Sequence, residues 1–422
     1  MVSRTRLTGG LVTLIAALFL AQYLRAWLAI PAPQARTSDF AGTYAAAMLW
    51  REGQPGRMYD TPAQEQELLR AGTPRDHLYI PFENPPPAAV VASPLSLLGA
   101  DAAYRVFSAL QLLLLLAGVV AAARAAPWPA ATGRAVKLAV MACALAGIGT
   151  GLLLVEGQWD GVAALGVGLA YAAWRRDRPG WAGLAAGVAL ALAKPHLGLG
   201  LLAFAAGRRD WRAAGGMAAG AVGVAMASLA TTGVGGTGAF VHALLQPANN
   251  PLLVMQGASG FFASWLGTSA PALTLTALAV VAGVGAAAWM GAQSRRPALF
   301  EPAFAGAVAL SLLVSIHLLG HDLTLLAPAL VALLAWLARR SASPRSWPDV
   351  PAAAALLTWA AMSFASQQDL GNYSPAPPGR LTPVVLAAMA GACCAVVARV
   401  SGARSARSGA ASAPSLSPSA PR

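Results

Sequence analysis

Four groups of residues have the type and spacing to do chemistry: Asp39, the run Glu156-Gly157-Gln158-Trp159-Asp160, Lys194, and the set His317, His321 and Asp322. Lys194 stands well inside an apolar run, where a cation costs roughly 2.5 to 3.5 kcal/mol to insert and therefore faces a cavity or a partner. At headgroup depth such a cation suits a lipid-linked phosphate. The alternative is a lysine that snorkels or is ion-paired. Asp39 lies a few residues past the first apolar segment, close to the membrane plane. A partly desolvated carboxylate there is suited to take a proton from a hydroxyl. The competing reading makes it the cap of a helix beginning at Phe40.

The five residues from Glu156 separate two apolar runs so closely that they form a tight turn. Glu156, Gln158 and Asp160 can hold sugar hydroxyls and Trp159 can stack on a sugar face, or the segment is a simple polar turn with an interfacial tryptophan. His317 and His321 are four apart, which puts them on one face if the segment is helical. That spacing can ligate a metal, but no glutamate completes an HExxH pattern, so donation to an anionic substrate group is the better reading and no metal is assigned. The outer loop after the first helix adds Tyr44, Tyr59 and several carboxylates.

These residues need a scaffold, and composition limits what it can be. Of 422 residues, 57% are hydrophobic and 11% charged, with mean hydropathy +0.58. A soluble domain carries about a quarter charged residues. The apolar runs approach the roughly 20 residues of a membrane-crossing helix and lack the alternation of a barrel strand. The fold class is therefore all-α and polytopic. The net charge of +13 comes as short clusters between apolar runs, not as a stripe with interleaved aromatics, so the expected partner is the lipid bilayer and not nucleic acid. Cys143, Cys393 and Cys394 lie in apolar segments without metal or disulfide spacing. Arg4 and Arg6 precede an apolar stretch too long for a signal peptide, so it reads as a retained helix.

Short cytoplasmic loops are enriched in Lys and Arg. Placing every basic cluster in the cytoplasm gives about twelve helices with both termini inside, near 7–30, 104–123, 137–155, 158–174, 181–193, 196–206, 213–232, 271–292, 302–319, 323–338, 350–366 and 382–400. Basic clusters flank both ends of 181–207, so a hairpin is expected to turn at Lys194-Pro195, where proline breaks the helix. The segment 85–98 reads as a juxtamembrane or re-entrant element, or as a further span. Residues 1–400 form one membrane domain, with 31–103 as a long non-cytoplasmic first loop. The Ser/Ala/Pro/Arg-rich tail 401–422 is expected to be disordered in the cytoplasm. The polar, non-basic segments 34–84, 156–160, 233–267, 317–322 and 367–380 then collect with Lys194 on the non-cytoplasmic side.

The run Asp39-Phe40, Tyr44, Gly53 and Met58-Tyr59-Asp60 resembles the first-loop pattern of glycosyltransferase family 87, the polyprenol-phosphate-mannose-dependent mannosyltransferases of GT-C fold. The stretch from Tyr79 to Leu98 with its prolines, Gly157-Gln158, the segment from Gly183 to Lys194-Pro195, and His321 near a helix end are similar to later parts of the same family, so the likeness runs over about residues 7 to 400. It implies a GT-C-like fold and an inverting transfer of a hexose, mannose first among them, from a polyprenyl-phosphate sugar to a lipid or glycan acceptor. No cofactor beyond that donor is implied. By position the resemblance implies Asp39 as the catalytic base and Lys194 and His321 at the donor phosphate; the residue reading itself adds His317 beside the phosphate and Tyr44, Tyr59, Glu156, Gln158 and Asp160 as candidates for sugar or acceptor. The chain departs from the family at Asp160, where asparagine is common, and around Ser315 to His321. A polytopic transporter or flippase for lipid-linked sugars is the alternative; it predicts two similar halves, which the chain does not display.

Overall fold

The computed structural model describes residues 4–78, 80–246, 252–340 and 382–411. They hold seventeen α-helices and, among the described residues, no strand. In chain order these are α1 Arg4–Ala29, α2 Ala32–Ala35, α3 Phe40–Arg51, α4 Thr61–Arg70, α5 Pro86–Ala92, α6 Ala100–Ala125, α7 Arg134–Leu145, α8 Ile148–Leu152, α9 Asp160–Trp174, α10 Pro179–Ala193, α11 Leu199–Gly207, α12 Trp211–Leu245, α13 Ala258–Leu266, α14 Ala270–Gln293, α15 Phe300–Leu313, α16 Leu326–Arg340 and α17 Thr382–Ala411. The protein is an all-α polytopic membrane protein.

Six described helices are long and apolar enough to cross a bilayer, or seven if the pair 134–145 and 148–157, bent by 68°, counts as one. Of the about twelve helices expected, all but 350–366 have a helical counterpart among the described residues, several of them shorter than a full span. Five more apolar helices, of 10 to 17 residues, are shorter than a full span. One of them is 86–97, which at about 1.5 Å per residue cannot cross a hydrocarbon core of about 30 Å. The expected helix at 350–366 and the segment 367–380 lie outside the described residues. α17 runs on to Ala411, so the tail expected to be disordered from Ser401 begins as helix. Alanine and arginine are strong helix formers and extend the preceding turn.

Small residues set the core packing. Gly183 and Gly187 of α10 lie against the backbone of Ala213 and Met217 of α12, so these helices run parallel. α11 must return between them, which forms the hairpin at Lys194-Pro195. Gly161 and Gly168 of α9 likewise meet Gln111 and Gly118 of α6 in parallel register. Consequently Arg124, Arg175 and the α11–α12 turn share one end of the bundle. There Trp174 donates to Asp210 at 3.0 Å, and Arg295 donates to the carbonyls of Arg208 and Gly207 at 3.0 and 2.9 Å. Every helix break that matters lies at the other end.

Candidate active site

α10 ends because Pro195 has no N–H to continue it. Lys194 still donates its amide to Leu190 O at 2.7 Å, then leaves the helix at φ −154° and ψ 85°. Its ammonium lies 2.8 Å from Asp322 Oδ1, 3.1 Å from His321 Nδ1 and 3.8 Å from Asp160 Oδ2. His321 Nδ1 is in turn 3.0 Å from Asp160 Oδ2. All four side chains are buried, and Asp160 and Asp322 are fully so.

Two further breaks bring these partners in. Asp160 is the first residue of α9, directly after the polar turn. Between α15 and α16 the chain forms a tight 3-10 turn over Gly320–Leu325, and Asp322 Oδ2 fixes it by accepting from Leu319 N at 2.7 Å. That turn lies on α8, where a Cβ at Gly149 would stand 2.7 Å from the Thr324 amide nitrogen. Only glycine permits so close an approach of two backbones.

Asp39 occupies the residue before α3, but its side chain makes no cap hydrogen bond. Its carboxylate instead accepts from Gln158 Nε2. Gly157 makes this reach possible: with φ +65° it turns the chain at the end of a π-helical turn over Leu153–Gly157, in the left-handed region glycine adopts freely. Asp39 is exposed. Glu156 is half-buried and within electrostatic reach of Asp39 and His321. Glu83, on the segment leading into α5, feels both Lys194 and Asp39. Burial pushes its carboxyl up to about 7, while Lys194 pulls it down and Asp39 pushes it further up.

The structure thus gathers Asp39, Glu156, Gln158, Asp160, Lys194 and His321 at one end of the bundle. Other expected residues are placed differently. Tyr44 is buried, its hydroxyl donating to Leu98 O at 2.8 Å, and the Tyr59 hydroxyl donates to Asn84 O at 2.6 Å. Both hydroxyls hold the first loop together and are spent on backbone carbonyls. Trp159 is 2% exposed and donates to Thr43 Oγ1 at 3.2 Å, so it cannot stack on a sugar. α15 stops at Leu313, not near 319, so His317 and His321 do not share a helical face. His317 packs instead against His196, two residues after Lys194, with ring centroids 5.5 Å apart.

Asp322, singled out with the histidines but given no role of its own, belongs to this region, as do Glu83, Asn84 and His196, which residue patterns did not assign to the site. For the last three the signal was adjacency alone: His196 follows Lys194-Pro195, and Glu83-Asn84 precedes the proline run. Ligand atoms of Asp160, His321 and Asp322 lie within 4.8 Å of one another, a donor set suited to a metal ion. The Lys194 ammonium already supplies the positive charge among them.

A cleft of about 440 Å³ opens beside this cluster. Its walls are apolar, with Leu190, Leu199, Met217 and Val314 among them, and His196 and Ser315 supply its polar end.

A family model described as glycosyltransferase family 87 matches residues 82–315, more than half of the chain. The matched span includes Glu83, Asn84, the 156–160 turn and Lys194, while Asp39 and His321 lie outside it. No curated protein and no solved structure matches the chain.

Proposed function

The chain belongs to glycosyltransferase family 87 and is a multi-pass membrane glycosyltransferase; from that premise we propose that it moves a hexose, mannose first, from a polyprenyl phosphate to a lipid or glycan acceptor on the non-cytoplasmic face. The observation that carries this reading is the meeting of three features at one end of the bundle. An exposed carboxylate, Asp39, is held by Gln158. Lys194 and His321 stand behind it at broken helix ends. An apolar cleft lined in part by Pro195 and His196 opens next to the Lys194 peptide.

In the proposed reaction the polyprenyl chain lies in the cleft and its phosphate approaches Lys194 and His321. The acceptor hydroxyl attacks the anomeric carbon from the face opposite the phosphate. Asp39 takes the hydroxyl proton as the new C–O bond forms, and the bond to the phosphate oxygen breaks with its electron pair. The configuration inverts. Charge developing on the leaving phosphate is stabilised by Lys194, which shares its ammonium between Asp322 and the phosphate, and by His321. Phosphate is a competent leaving group, so no cofactor enters the scheme. The family membership favours this enzyme reading over the transporter considered from sequence.

The reading is tested by supplying membranes containing the protein with polyprenyl-phosphate [14C]mannose and following label into lipid and glycan fractions. Label in an acceptor, with the opposite anomeric configuration to the donor, is the expected result. No transfer from mannose, glucose or arabinose donors would overturn the polyprenyl-phosphate assignment.

A further inference from the structure

The break after α10 creates a problem that another element solves. Helix ends leave their last carbonyls without intrahelical donors, and at membrane depth an unsatisfied carbonyl is costly. α10 ends at Ala193, and the Leu197 amide that would serve Ala193 in a continuing helix donates to Lys194 O at 3.1 Å instead, so the Ala193 carbonyl needs a donor from elsewhere. Asn84 provides it: its Nδ2 donates to Ala193 O at 2.9 Å across 109 residues of sequence. Asn84 is itself fixed, since its backbone carbonyl accepts from the Tyr59 hydroxyl at 2.6 Å. The Tyr59 ring is held between Phe82, at 5.5 Å, and Phe240 of α12, at 5.7 Å.

The bond lands on the residue directly before Lys194, where the chain leaves helical geometry. The peptide that carries the ammonium is therefore set by Asn84 as much as by Pro195. The neighbouring Glu83 feels the charges of Lys194 and Asp39, so the same short segment also borders the reacting region. We infer that Asn84 is a positioning residue: by capping the broken end of α10 it fixes where Lys194 presents its charge to the donor phosphate. This rests on the proposed reading of Lys194 as a phosphate partner.

The test is direct binding to the purified full-length protein of two probes, a polyprenyl monophosphate and the corresponding polyprenol, which share a chain and differ in the phosphate. Wild type should bind the phosphate form more tightly. Asn84→Leu keeps the branching but removes the donor. It should cut that preference about fivefold to tenfold, the loss expected for one hydrogen bond that orients a charge, and leave polyprenol binding unchanged. In turnover it should raise the donor KM and leave the acceptor KM unchanged. Asn84→Ala gives a second variant should leucine not fold.

An unchanged phosphate preference in a folded variant would overturn the inference. So would an equal loss for both probes, which is the mark of general damage. If wild type itself fails to distinguish phosphate from polyprenol, the phosphate reading of Lys194 fails instead, a separate result.

Discussion

The two ends of the bundle each bury a charged group, and they treat it in opposite ways. At the end that carries Arg175 and Arg295, Glu301 is 2% exposed, 3.5 Å from Arg175 and 3.3 Å from the Tyr171 hydroxyl. Around it Trp174, Phe204, Phe300 and Phe304 pack ring against ring, with centroids 5.7 to 6.3 Å apart. Arg175 is 29% exposed and reaches water. At the other end the cation itself is buried, two carboxylates surround it, and the helices that hold them are interrupted at 145–148, 157, 194 and 313–326. A buried ion pair alone does not make a site. Broken backbone beside an apolar cleft does, because it frees polar groups where a substrate can meet them.

Substitutions at the two ends should therefore separate. Lys194→Met leaves Asp160 and Asp322 buried without their ammonium, and breaking such a pair costs about 3 to 5 kcal/mol. Thermal unfolding in detergent should show the loss, and sugar transfer should disappear even below the new melting point. Glu301→Gln is milder. Arg175 can turn to water and the amide oxygen still accepts from Tyr171, so about 1 kcal/mol is expected, with the transfer rate per folded molecule unchanged. A transfer defect in Glu301→Gln matching that of Lys194→Met would erase the contrast.

The smallest effect concerns pH. Burial raises Glu83 from 4.5 to about 7, so the folded chain holds a proton that the unfolded chain releases across that interval. The folded state then binds more protons, and stability falls as pH rises from about 4.5 to about 7. Glu83→Gln should remove this component: its melting temperature should match wild type below that interval and exceed it above. A wild-type melting profile identical in slope to that of Glu83→Gln would show that Glu83 does not carry it.

Much of the fold was legible in the sequence because it rests on local signals. Apolar runs located most helices to within a few residues, and two flanking basic clusters with an internal proline foretold the hairpin at Lys194. The gathering of Asp39, Glu156 and Lys194 at one end followed from the same charge pattern. What was not legible depends on contacts between distant segments. The bend after Leu145 and the end of α15 at Leu313 occur within apolar sequence that reads as continuous helix, and tertiary packing of the 320–325 turn against Gly149 decides them. Tyr44 and Trp159 have the chemistry of sugar binders, but the core buries them. Asn84 is the reverse case: nothing local marks it, and its role lies in a bond to Ala193.

The central claim is that Asp39 is the base of a sugar transfer, and a matched comparison of wild type with Asp39→Asn tests it most directly. The asparagine keeps the size and can still pair with Gln158, but it cannot take a proton. With equal amounts of folded protein in membranes, transfer from polyprenyl-phosphate mannose should fall by about 10²- to 10⁴-fold, the range of general base catalysis, with donor binding retained. Equal transfer by both proteins would contradict the account and leave Asp39 a residue of the loop.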